Sequence, residues 1–256
     1  MTIRRHRLFI PAEINGHRVQ ALLDSAAELT LLDRAFARRL DLLGGTKVDA
    51  KGSGAGKVGA ELIEAVTMTA PGIIRHTGPA AAIDLGDVSR RLNGAPIDVI
   101  LGRDYFDLVR LEIDIDARRL RPLAPDEPAR GLLFPLKTAF GVETIIVNAE
   151  GHGAEATIDL GNGGNPMVSR AFAAHIGAFN DGRAMGKSRG GGTGGEAERV
   201  HFILKALSIG PKNFVDIPVI VDVGEGATDM NIGTSILRRF VVTTDFANHQ
   251  VWRLPK

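Results

Sequence analysis

The sequence predicts an all-β protein built from two copies of one unit, and three observations predict it. First, two apolar, β-prone runs each end on an aspartate just before small, turn-forming residues. They are Ala21-Leu22-Leu23-Asp24-Ser25-Ala26-Ala27 and Ala156-Thr157-Ile158-Asp159-Leu160-Gly161-Asn162. Second, landmarks near the end of each half recur at one constant offset: Gly102 with Gly233, and Asp114 with Asp245. Third, strand-like sequence dominates between these landmarks, with only brief helical segments.

The elements follow in matched order. Asn15-Gly16 and Glu150-Gly151 read as hairpin turns feeding the strands that end on Asp24 and Asp159. Helix-like segments come next, Leu32 to Ala37 and Val168 to Ala173, displaced by one residue more than the aspartates are. Each half then holds a glycine-rich stretch, Lys51 to Gly59 and Gly190 to Gly195, followed by strand-like sequence. Val99-Ile100-Leu101-Gly102-Arg103-Asp104-Tyr105-Phe106 parallels Met230-Asn231-Ile232-Gly233-Thr234-Ser235-Ile236-Leu237, an apolar strand reaching a glycine before a short helix. Final strands place Asp114 and Asp245 mid-strand. Pro125 and Pro128 mark the connection. The expected organisation is a first unit over 1–124, a linker over 125–139 and a diverged second unit over 140–256.

Composition narrows the function classes. A chain of 256 residues with 44% hydrophobic content is long enough for one large domain or two smaller units. Its 31 basic and 30 acidic residues nearly cancel, so no nucleic-acid partner is expected. There is no cysteine, which removes disulfides, thiolate metal sites and a cysteine nucleophile. No apolar run reaches the roughly 18 residues that span a bilayer. Compartment stays open: periplasmic if a leader was removed, otherwise cytoplasmic.

One carboxylate before a turn reads as a turn or helix-capping residue. Two in repeated settings read as a paired-acid site made by duplication. Asp24-Ser25-Ala26, the glycine-rich hairpin, Ile100-Leu101-Gly102-Arg103-Asp104-Tyr105-Phe106 and the Ile113-Asp114 strand resemble a lobe of the retropepsin-like and pepsin-like aspartic proteases. The second half is similar to a diverged copy, as in single-chain, two-lobed bacterial members. The resemblance implies a bilobal acid-protease-like fold with two pseudo-symmetric, barrel-like lobes. It implies an endopeptidase whose catalytic dyad is Asp24 and Asp159, sharing a proton and holding a water in the cleft between lobes. Ser25, Ala26, Leu160 and Gly161 would support the dyad. Gly52, Ser53, Gly54, Ala55 and Gly56 would form a flap over an extended peptide, and Gly102 and Gly233 would pack behind the aspartate loops. A monomer needing no metal and no cofactor is implied.

Two departures from the family pattern stand out. Ala26 replaces the usual glycine, tolerable where φ is negative. Leu160 replaces a threonine or serine, leaving the hydrogen-bond lattice beneath the dyad one-sided. Two other readings therefore stay open: an enzyme of the same fold using both acids on a small molecule as isomerase, cyclase or hydrolase, and a non-catalytic peptide-binding relic. Ser25 lacks a histidine in a triad-like setting. Gly190 to Gly195 formally fits G-x-G-x-x-G, but neither a preceding strand nor a following apolar helix is read around it, so no dinucleotide is expected. The seven histidines show no metal-ligand spacing.

Overall fold

The computed structural model describes residues 1–52, 56–222 and 228–256. Strands account for 53% of the chain and the helices are short, so the fold is all-β as expected. Among the described residues there are three sheets. The first contains β1 (Thr2–Arg4), β2 (Arg7–Ile14), β3 (His17–Leu23), β4 (Leu31–Asp33), β5 (Thr46–Lys51), β6 (Lys57–Ala70), β7 (Ile74–Ile83) and β8 (Val99–Leu101). Then come β9 (Leu111–Asp114), β10 (Arg119–Pro122) and β11 (Leu132–Pro135). The next sheet contains β12 (Lys137–Ala139), β13 (Val142–Ala149), β14 (His152–Ile158), β15 (Met167–Ser169), β16 (Ala184–Gly190), β17 (Ala197–Ile209), β18 (Lys212–Asp222) and β19 (Met230–Ile232). The chain closes with β20 (Phe240–Asp245) and β21 (Gln250–Pro255).

The strand orders repeat. One eight-stranded sheet runs β1-β2-β3-β8-β4-β7-β6-β5 and the other runs β12-β13-β14-β19-β15-β18-β17-β16, matching strand for strand. The remaining five-stranded sheet, β10-β9-β20-β21-β11, joins the ends of both halves. There β9 and β20 pair antiparallel, with Ile113 opposite Val242. Apolar side chains from both halves merge into one core, including Leu23, Leu101 and Phe106 with Ile158, Leu160 and Ile232.

Local chemistry explains the elements that hold the aspartates in place. The hairpin turns need positive φ at both positions: 46° and 83° at Asn15-Gly16, 54° and 88° at Glu150-Gly151. Asn-Gly suits such a turn directly, whereas in the second turn Glu150 itself takes the less favoured positive φ beside its glycine. Helix α1 (Arg34–Arg39) is capped by Asp33, which accepts from the Ala35 and Phe36 amides. Its counterpart (Arg170–His175) is capped by Ser169, which accepts from Phe172. The helix cap is thus Asp33 rather than Asp24.

Three further expectations change. Asp114 and Asp245 end their strands instead of sitting mid-strand. There Asp114 accepts from the Ala117 amide, and Asp245 lies 3.1 Å from Arg110. The segment expected to link the halves carries β11, which pairs with β21, and β12, which edges the second eight-stranded sheet. A strand, β16, does lead into Gly190–Gly195, but a strand and not a helix follows it. Among the described residues, no helix is long and apolar enough to cross a membrane.

Arg253 has a testable energetic consequence. It is 1% exposed, lies 3.5 Å from the Phe134 ring centroid, and its guanidinium makes no hydrogen bond among the described residues. Burial pulls its pKa down to about 9. A buried cation without hydrogen-bond partners costs more than its ring contacts return. Arg253→Met is therefore expected to leave stability unchanged or raise it by about 1–4 kcal/mol in urea denaturation. A loss of stability would show that stacking outweighs desolvation.

Candidate active site

Parallel strand pairing sets both aspartates at equivalent places. In the first half Leu22 faces Ile100 and Leu23 faces Leu101; in the second Thr157 faces Asn231 and Ile158 faces Ile232. The chain then leaves each sheet. The Asp24 amide donates to Leu101 O at 3.0 Å, and the Asp159 amide donates to Ile232 O, also at 3.0 Å. The loops after them are anchored alike. The Arg103 amide donates to Ala27 O at 2.7 Å, and the Thr234 amide to Asn162 O at 2.9 Å. Gly102 and Gly233 allow this approach. A Cβ on Gly102 would come within 2.5–2.8 Å of the Leu29 and Ala27 backbone, and one on Gly233 would overlap Asn162.

The structure brings the two carboxylates together. Asp159 is buried and Asp24 half-buried. A Cβ on Gly161 would overlap the Asp24 carboxylate, so this glycine is where one aspartate meets the other's loop. Burial, and then the facing charge of Asp159, raises the Asp24 carboxyl to about 8. Burial raises Asp159 as well, but hydrogen bonds from Asn231, Asn162 and Gly161, and the charge of Arg7, oppose the shift. Arg7, on β2, is itself lowered by burial and held up by Asp159 and Asp24. Its Nη1 donates to Leu92 O at 3.0 Å and Arg5 O at 3.3 Å.

Beneath the pair, Ser25 crosses between halves. Its Oγ donates to Ile158 O at 2.7 Å and accepts from the Leu160 amide at 3.0 Å. Leu160 is fully buried in the core and its side chain returns no such bond. Ala26 keeps a negative φ, and its amide donates to Asp24 Oδ1 at 3.1 Å.

The glycine-rich stretches lie at the tips of equivalent hairpins, one between β5 and β6 and the other between β16 and β17. Ser53, Gly54 and Ala55 lie outside the described residues. Gly52 and Gly56 bring the two tips together: the Gly56 amide donates to Gly194 O at 2.9 Å, and a Cβ on Gly52 would overlap Thr193. Arg91, paired with Asp87 at 2.6 Å, donates to Gly191 O at 2.7 Å and Gly192 O at 3.0 Å.

Sequence reasoning missed three residues at this site: Arg7, Asn162 and Asn231. The one available signal was Asn231, a polar residue at the position where the first copy has Ile100. Nothing local marks Arg7, whose place depends on long-range folding.

Two acids facing each other on matched loops are an arrangement able to carry out acid–base chemistry. Residues 10–105, which carry Asp24, the first glycine-rich tip and Gly102, match the family model described as aspartyl protease. The match supports an aspartic protease function, and with it a peptidase and hydrolase. No curated protein matches the chain.

Proposed function

We propose that the chain is a single-chain, two-lobed aspartic endopeptidase of the retropepsin-like type. Its lobes cover 1–124 and 140–256, with a connecting segment at 125–139. Asp24 and Asp159 form the dyad in the cleft between them, and a monomer suffices. The observation that carries this reading is the pair itself: a buried and a half-buried acid from matched strand ends, meeting where Gly161 lies against the Asp24 carboxylate.

Like charges this close do not both ionise, so the pair holds one proton at neutral pH. The ionised member takes a proton from a water lodged between the carboxylates. The protonated member donates to the scissile carbonyl oxygen as the water attacks carbon. Ser25 and the Gly102 and Gly233 contacts hold the loops that carry the two aspartates, which is where positioning contributes to rate. The hairpin tips around Gly52–Gly56 and Gly190–Gly195 cover an extended peptide, adding main-chain hydrogen bonds and excluding water. The Leu160 substitution keeps acid–base chemistry on a small molecule as the competing reading. A statine-type isostere tests the choice, because its hydroxyl mimics the tetrahedral intermediate.

The pH dependence has a defined sign. The proton on the pair is lost as pH rises through the raised carboxyl, so kcat/KM is expected to fall above about pH 8 and to persist at pH 7. Peptide cleavage measured across pH 3–9, with and without the statine-type inhibitor, checks this. Activity confined below about pH 5, or indifference to the inhibitor, would contradict the assignment.

A further inference from the structure

The two halves differ at one position that touches the dyad. On β8, Ile100 is buried and apolar opposite Leu22. At the same register on β19, Asn231 is half-buried opposite Thr157. Asn231 Nδ2 donates to Asp159 Oδ2 at 2.7 Å. Its Oδ1 accepts from Asn162 Nδ2 at 2.9 Å, and that bond sets the amide's orientation, leaving Nδ2 free only to donate. Asn162 is held in turn: its main-chain amide donates to Asp159 Oδ1 at 2.9 Å, and its Nδ2 also reaches Asn165 O at 3.3 Å. Asp159 therefore receives donors on both oxygens. At Asp24, the Ala26 amide donates to Oδ1 and the Ala27 amide also favours the charged form, as Gly161 and Asn162 do at Asp159, but the residue equivalent to Asn231 is a hydrocarbon.

We propose that Asn231 is a positioning residue that breaks the symmetry of the pair, holding Asp159 as the ionised base and leaving the shared proton on Asp24. This rests on the aspartic hydrolase reading above and assigns the roles within it. Hydrogen bonds from an amide stabilise a carboxylate more than a carboxylic acid, because the ionised oxygen is the stronger acceptor. The water proton then passes to Asp159 as the new C–O bond forms and the carbonyl π bond opens, while the Asp24 proton passes to the carbonyl oxygen. In the second step the C–N bond breaks, Asp159 returns its proton to the leaving nitrogen, and Asp24 regains one from the gem-diol. The net reaction is addition of one water across the peptide bond.

Other charges around the site do not take over this role. Arg7, from β2, acts on Asp159 first and then on Asp24, so its charge favours the same ionised member, but among the described residues it makes no hydrogen bond that would replace the one from Asn231. Asp229, just before β19, is engaged by the Glu155 amide at 3.0 Å, and Glu155 accepts from Thr144 Oγ1 at 2.8 Å.

The test titrates the aspartates of the full chain by 13C NMR with carboxyl-labelled aspartate, assigned with Asp24→Asn and Asp159→Asn. Asn231→Leu keeps the branching at Cγ and removes the donor; Asn231→Ser, milder for folding, shortens it out of reach. In both variants the Asp159 carboxyl is expected to titrate about one pH unit higher than in wild type. The acidic limb of kcat/KM should move by the same amount, with kcat lowered about tenfold and KM unchanged. A structural role alone would lower stability without moving the limb. An Asp159 titration unmoved in the folded variants would overturn the proposal. Because that readout needs no substrate, it separates this inference from the peptidase reading, which falls instead if folded wild type cleaves no peptide.

Discussion

Asp159→Asn is expected to lower kcat by about 10²–10⁴, and Asp24→Asn by a similar factor, because each would remove one half of the proposed proton relay. The losses should not add: once either acid is gone the pair no longer shares a proton, so the double variant should match the singles. Stability should move the other way. Asp24 has a folded carboxyl raised by burial and by Asp159. Below the unfolded aspartate value of about 3.9 both states are protonated and nothing is lost. As pH rises from there through about 8, the unfolded chain sheds its proton while the folded chain retains it, so folding stability declines. Asp24→Asn removes that decline. Its melting temperature should exceed that of wild type at pH 8, by about 2–4 °C per kcal/mol recovered, and converge with it near pH 3. Differential scanning calorimetry at the two pH values reads this directly. An Asp24→Asn variant less stable than wild type at pH 8 would mean that the pair contributes to folding instead of weakening it.

The second large effect lies outside the site. Arg103 follows the packing glycine Gly102, and its Nη2 reaches Glu143 on β13 in the other half at 2.8 Å. The Glu143 side chain is fully buried, while that of Arg103 is 19% exposed. Thr138 Oγ1 donates to Glu143 at 3.0 Å, and Arg103 Nη1 donates to Gly141 O at 3.1 Å. A matching but weaker bond runs the other way, from Thr234 Oγ1 to His6 O at 2.8 Å. Glu143→Ala would remove the shortest ion pair of the Arg103 guanidinium in a mostly dry setting, leaving it Asp107 at 3.6 Å and the Gly141 carbonyl, and a loss of about 3 kcal/mol is expected. Adding Arg103→Met to it should restore most of that stability, because an apolar pair carries no uncompensated charge. Urea denaturation of the single and double variants measures the difference. A Glu143→Ala cost below about 1 kcal/mol would place this contact with ordinary surface ion pairs.

Much of this was legible in the sequence. Strand, aspartate, turn and capped helix are local patterns, and their recurrence in the second half predicts the repeated strand order now seen in the two eight-stranded sheets. The Gly102 and Gly233 landmarks were legible because close backbone approach requires the absence of a Cβ. What stayed hidden is non-local. Asn231 is marked locally only by being polar where the first half has Ile100, and its role depends on Asp159, which the fold places beside it. The Arg103–Glu143 pair joins residues far apart in the chain, and Arg7 lies in a run of arginines that reads as solvated surface. The strand Leu132–Pro135 was hidden by Pro135 and by the prolines before it, Pro125 and Pro128; an edge strand tolerates a proline.

The most direct measurement is cleavage of an unbiased peptide library across pH 3–8 by wild type, Asp24→Asn and Asp159→Asn. The dyad predicts cleavage by wild type that is lost in both variants while all three remain folded. No cleavage by a folded wild type, or cleavage surviving either substitution, would contradict it.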